Sequence, residues 1–248
     1  MNKKSGVQMG ILLGVIVALV VGCGYYNYMG PLKPADESNQ PAGATVADDG
    51  TVTFVQDRLE VSLRPMTDEE LNRQFAAHSK EGAKSTNPYT FGNSKYWDLQ
   101  ITPQRFTVFR LKVKNYQYPK VLLDPRHIVI QADNGREYTA LGLQELTLYY
   151  RTYAIGYSGN AYDRFEQRKD ILQRTLFPGD ILFSGQEQEG YIVFPPLHPD
   201  VDRITVWIRD LAVRFNYADE PVETIDIKFE FWRDIGRRYA DGTIKLRK

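Results

Sequence analysis

Three histidines, His78, His127 and His198, and one cysteine, Cys23, are all that the sequence offers toward thiolate or imidazole metal chemistry. No His-x-x-His, His-Glu-x-x-His or Cys-x-x-Cys spacing joins them, so no local motif encodes a zinc donor set. Each histidine falls in or beside an expected loop, and His127 and His198 read as exposed loop residues. Gly-x-Ser-x-Gly does not occur, and neither Tyr157-Ser158-Gly159 nor Phe183-Ser184-Gly185 has the strand–elbow–helix context that exposes a serine hydroxyl. Glu187 and Glu189 come nearest to a glycosidase pair. The run Gly185 to Gly190 reads as a solvated hairpin, however, with nothing to give one carboxyl a raised pKa and the other a normal one. Gly156 to Gly159 lacks the Lys-Ser/Thr of a phosphate loop, and Asp48-Asp49-Gly50 and Asp133-Asn134-Gly135 are too short for a calcium loop. The sequence therefore assigns no catalytic residue, no metal and no cofactor, and the chain reads as a non-enzyme.

The residues with binding character are aromatic. Tyr149, Tyr150, Tyr153, Tyr157 and Tyr162 cluster with Arg151 and Arg164 in a stretch from about 142 to 176 that breaks the β rhythm around it. Tyrosine is a rigid amphipathic ring that fills a partner's pocket or stacks on a sugar, and arginine adds planar donors. Tyr149, Tyr150, Arg151, Tyr153, Tyr157 and Tyr162 are the expected binding surface. The competing reading is that these rings bury against one end of the fold.

The N-terminus decides location. Lys3 and Lys4 precede an apolar run, Val7 to Val21, of about 15 residues, which suits the apolar core of a signal peptide better than a spanning helix of ~20. The run ends in Val20-Val21-Gly22-Cys23, and this resembles the lipobox of bacterial lipoproteins. The resemblance implies diacylglyceryl transfer to Cys23, cleavage before it, and a membrane anchor whose buried methylenes contribute ~0.8 kcal/mol each. Gly24 rather than Asp follows Cys23, so in an enteric-type envelope the outer membrane is the expected destination. The alternative is an uncleaved single-pass helix extended by Tyr25, Tyr26 and Tyr28 as an interfacial belt.

Lys plus Arg number 31, as do Asp plus Glu, and loss of Lys3 and Lys4 leaves the mature part slightly acidic. That excludes a basic nucleic-acid face or a polybasic membrane patch. Met29 to Gly50, with Pro31, Pro34 and Pro41 among small polar residues, reads as a linker. The expected organisation is a signal peptide over 1–22, a lipidated terminus and flexible linker over 23–50, and one domain over 51–248.

Within that domain, Arg58 to Arg64 alternates, and Thr67-Asp68-Glu69-Glu70 is a capping box opening a short helix to about Ala77. Residues 78–97 read as a long loop packed through Tyr89, Phe91 and Trp97. Phe106 to Asn115 is the clearest strand, with Phe109, Leu111 and Val113 inward and Arg110, Lys112 and Lys114 outward. Strands follow near 121–123, 128–130, 137–141, 190–195, 204–208 and 225–231, with Asp133-Asn134-Gly135 as a hairpin turn.

Leu111 to Asn115, Leu176-Phe177-Pro178-Gly179-Asp180, Gly190 to Phe194 and Ile204 to Ile208 together resemble the immunoglobulin-like domains of bacterial surface lipoproteins. That resemblance implies an all-β fold, an immunoglobulin-like antiparallel β-sandwich, here with a short helix at 67–77 and a partly helical insertion at 142–176. It implies no activity. The expected function is a lipid-anchored envelope protein that binds a protein partner. A carbohydrate-binding module, with Tyr150, Tyr153 and Tyr157 as platform, and a cell-wall polysaccharide enzyme are the alternatives.

Overall fold

A computed structural model describes residues 25–80, 84–93, 103–156 and 161–247. They form two compact units, residues 25–30 with 234–247, and residues 31–233. Cys23, Trp97 and Tyr157 lie outside the described residues.

The small unit is one antiparallel sheet. Its central strand pairs on one side with β1 (Tyr25–Met29) from the start of the described chain and on the other with the last strand. Arg237 lies over the Tyr25 ring, 4.3 Å from its centroid.

The large unit begins with β2 (Lys33–Pro34), β3 (Ala44–Val46), β4 (Val52–Gln56) and β5 (Leu59–Met66). Two short helices, α1 (Asp68–Gln74) and α2 (Ala76–Ser79), precede β6 (Thr107–Asn115), β7 (Lys120–Val121), β8 (Ile128–Ala132) and β9 (Glu137–Thr139). A helical pair, α3 (Leu143–Gly156) and α4 (Ala161–Thr175), leads to β10 (Leu182–Phe183), β11 (Glu187–Phe194), β12 (Arg203–Phe215) and β13 (Pro221–Trp232). The remaining strands, β14 (Ile235–Tyr239) and β15 (Ile244–Leu246), complete the small unit.

Two five-stranded antiparallel sheets, ordered β11-β6-β5-β4-β3 and β2-β13-β12-β8-β9, share one apolar core. The chain is thus mostly β, in several antiparallel sheets. Period-two alternation builds the core as expected: Leu59, Val61 and Leu63 of β5 and Phe109, Leu111 and Val113 of β6 face Ile128 and Ile130 of β8 and Phe229 and Phe231 of β13. The Phe109 and Phe231 rings meet across it at 5.2 Å. The capping box at the start of α1 is present in both directions, Glu70 N–H to Thr67 Oγ1 and Thr67 N–H to Glu70.

The linker expected over 23–50 is corrected. Tyr25–Met29 pairs with β14, Lys33–Pro34 pairs with Phe231 and Trp232, and Ala44–Val46 pairs with β4. Between those two edges the buried Gln40 side chain grips the backbone of Glu230. Its Nε2 donates to the Glu230 carbonyl at 2.7 Å, and its Oε1 accepts the Glu230 N–H at 3.0 Å. Residues 31–46 therefore cross from one sheet's edge to the other's. Pro34 is tolerated because an edge strand leaves one side of its backbone unpaired.

The run Tyr191-Ile192-Val193-Phe194 is buried throughout. The reason is a second core on the outer face of the first sheet, where Phe106, Val108, Tyr191 and Val193 meet Leu146 and Tyr150 of α3, Phe165 and Leu172 of α4, and Tyr89. A strand covered on both faces loses its alternation.

Candidate binding crevice at the foot of the helical insertion

The insertion stands on a single strand. Leu141, just before α3, donates its N–H to the Val193 carbonyl at 2.7 Å, and Phe177, just after α4, donates to the Tyr191 carbonyl at 3.0 Å. Both feet therefore rest on the free edge of β11. Gly190 makes the second contact possible, because a Cβ there would lie 2.5 Å from both the Cα and the N of Phe177.

Both helices bury one stripe, Leu146 and Tyr150 on α3 and Phe165, Arg168 and Leu172 on α4. Tyr150 is the hub. Its hydroxyl donates to the Pro88 carbonyl and receives Arg105 Nη1 at 3.3 Å. The guanidinium carbons of Arg105 and Arg168 lie 5.4 and 5.0 Å from its ring centroid. Burial pushes the Tyr150 hydroxyl up to about 12, against the pull of the two arginines. Tyr89 lies beneath the same network, donating to Thr175, and its burial likewise raises its pKa.

The expected tyrosine surface is thereby divided. Tyr150 is 1% exposed and belongs to the second core, so it forms no platform. Tyr149 is partly exposed, with its ring edge-on to Phe106 at 5.2 Å and to Tyr150 at 5.0 Å. Arg151 is exposed on α3, and Tyr162 is 65% exposed on α4 against Phe165. Tyr153 lies in α3, but its side chain, like Tyr157, lies outside the described residues.

Beneath the helices, where the two cores adjoin, a crevice of about 620 Å³ opens to one side, a size within the ~300–1,000 Å³ of ligand pockets. Its walls come from residues 122–126, 140–143 and 172–179, and from Tyr191 and Ile192 on the β11 edge. Leu122, Leu141, Leu143, Leu172, Leu176 and Ile192 make the surface apolar. The Pro178-Gly179 turn holds one wall against Pro125. Gly179 sits at φ +70°, and a Cβ there would lie 2.6 Å from the Pro125 Cδ.

Charge is confined to the lip. Asp124 caps the 125–127 turn by accepting the Arg126 N–H at 2.9 Å, and its carboxylate also takes Arg126 Nε at 3.0 Å and Nη2 at 2.6 Å. Hydrogen bonds from Arg126 hold the Asp124 carboxyl below its usual range. The Tyr191 hydroxyl is directed to Gln74 on α1. Every lining side chain with acid–base capacity is therefore already engaged, and the geometry suits burial of an apolar group better than bond making.

Elsewhere, Glu187 pairs with Lys112 at 3.0 Å and Glu189 with Arg110 at 2.5 Å on the outer face of the sheet. His127 Nδ1 lies 3.4 Å from Asp210, and His198 Nδ1 lies 2.5 Å from Asp200. Among the described residues, no three His, Cys, Asp or Glu are placed to hold a metal ion, and no helix is long and apolar enough to cross a membrane. Sequence reasoning missed the crevice. Its only local signals were Pro125 and Pro178-Gly179, which mark turns in any context.

No family model and no curated protein matches the chain. Among solved structures, it is similar to MPT63, a secreted protein from Mycobacterium tuberculosis, at 9% sequence identity and a TM-score of 0.30, over 66% of this chain and 90% of that one.

Proposed function

We propose that this chain is an envelope lipoprotein, anchored through Cys23, whose two facing sheets form an immunoglobulin-like sandwich that serves as a non-enzymatic binding module for a protein partner. The anchor rests on the Lys3-Lys4, Val7–Val21 and Val20-Val21-Gly22-Cys23 pattern. The binding seat is the crevice under α3 and α4. The observation that carries this reading is an open apolar cavity, charged only at its lip, at the base of the α3–α4 pair. Apolar recesses with a polar rim are where hot-spot side chains of a partner insert.

The test is photo-crosslinking in intact cells. A photoreactive residue at Gln173, on the crevice wall, is compared with one at Lys228 on β13. The proposal expects a discrete protein adduct from position 173 alone. Equal patterns from both positions, or adducts only to polysaccharide, would overturn it.

A further inference from the structure

The lip of the crevice specifies more than an apolar guest. Arg126 is the only cation on the lining, and its fork is closed on Asp124, two residues away. The Asp124 carboxylate offsets its charge, although the Arg126 side chain itself stays largely exposed. A second acid stands above the same lip. A Cβ on Gly142, a lining residue, would lie 2.9 Å from Glu145 Oε2, so the Glu145 carboxylate sits over that wall, and Arg126 feels its charge. Glu145 is exposed and makes no ion pair among the described residues. One acid–base pair is satisfied and one acid remains, so the rim carries a net negative charge around an apolar floor.

Resting on the reading of the crevice as the seat for a protein partner, we infer that it takes an apolar peptide segment with a basic side chain next to the inserted residues, the base meeting Glu145. An anionic amphiphile is disfavoured, because its head would meet a rim on which the carboxylates of Asp124 and Glu145 outnumber the one guanidinium of Arg126. A segment of polypeptide also suits a recess open along one side, since the chain can cross it while two or three side chains enter.

The experiment uses the full chain in lipid nanodiscs with labelled leucine methyls, because Leu122, Leu141, Leu143, Leu172 and Leu176 line the site. Three probes are titrated: an acetylated heptapeptide with two leucines followed by lysine, its twin with glutamate in place of lysine, and palmitate. The lysine peptide is expected to shift these methyls and to half-saturate at a concentration about two- to fivefold lower than its twin, the size of one exposed ion pair. Glu145→Gln and high salt should both remove that preference. Peptides that bind equally well, or a preference that survives Glu145→Gln, would overturn this inference while leaving the protein-binding seat in place. Shifts with palmitate alone, or no shift with any of the three probes, would overturn both.

Discussion

The Leu141 amide and the Val193 carbonyl meet at 2.7 Å on the free edge of β11, and two residues along the same strand the chain returns through Phe177 to Tyr191. The helical pair, Leu143–Gly156 and Ala161–Thr175, thus stands on Tyr191 and Val193 of one strand, with the crevice opening beside it. The fold's free edge and its candidate site are one feature.

That footing depends on Gly190. Gly190→Ala forces a methyl to 2.5 Å from the Phe177 backbone, and overpacking of this kind costs about 1–3 kcal/mol. Denaturant unfolding is expected to show that loss. Gly135→Ala, where nothing lies within 4 Å of the added methyl but φ is +82°, serves as a control for backbone strain alone.

Tyr150 and Tyr162, both candidates for the binding surface, should behave oppositely. Tyr150→Phe removes the donor to Pro88 and the acceptor for buried Arg105, a loss of about 1–3 kcal/mol by desolvation of the orphaned groups. Tyr162→Ala, on an exposed ring, is expected to change stability by no more than about 0.5 kcal/mol. Thermal unfolding of the two variants separates the core tyrosine from the surface one.

Gln40→Leu tests the corrected N-terminal segment. It leaves the Glu230 N–H without its acceptor, while the Glu230 carbonyl keeps the Ala35 N–H at 2.9 Å, so a loss of about 1–3 kcal/mol is expected, with protease sensitivity appearing between residues 31 and 50. A flexible linker would lose nothing.

Asp68 gives a pH dependence. Burial and the neighbouring Glu69 push its carboxyl up to about 7, with Arg105 opposing. Between the unfolded value of about 4 and that folded value, the native state holds a proton that the unfolded state has released, so stability falls as pH rises through this window and levels off above it. Asp68→Asn should flatten the pH profile of the unfolding midpoint between about pH 4 and 7. An unchanged profile would show that Asp68 titrates normally.

For the anchor, Cys23→Ser is expected to yield a soluble or unprocessed product. Intact mass of the membrane-extracted wild type should show cleavage before Cys23 and added acyl mass. An unmodified, full-length leader would contradict lipidation.

What the sequence made legible follows from period and local chemistry. Phe109, Leu111 and Val113 alternate against Arg110, Lys112 and Lys114, and β6 lies where that pattern puts it. Thr67 and Glu70 announce α1 because a capping box is a contact over three residues. Lys33–Pro34 and Ala44–Val46 were illegible because two- and three-residue edge strands contain too few positions to show a period. The exposure of Tyr149 against the burial of its neighbour Tyr150 depends on which side of α3 meets Phe106 and Pro88, a long-range fact. The crevice is harder still, since its walls come from four segments spread between Leu122 and Ile192 that only the fold brings together.

The most direct test of the account closes the crevice. Gln173 is exposed on the crevice wall, so Gln173→Trp places a ring across the opening at little expected cost to the fold. With a photoreactive residue at Ala140, also on the lining, the protein adduct seen in otherwise wild-type cells should vanish in Gln173→Trp while the unfolding midpoint stays within about 2 °C. An adduct that persists undiminished behind the tryptophan would show that the partner docks elsewhere.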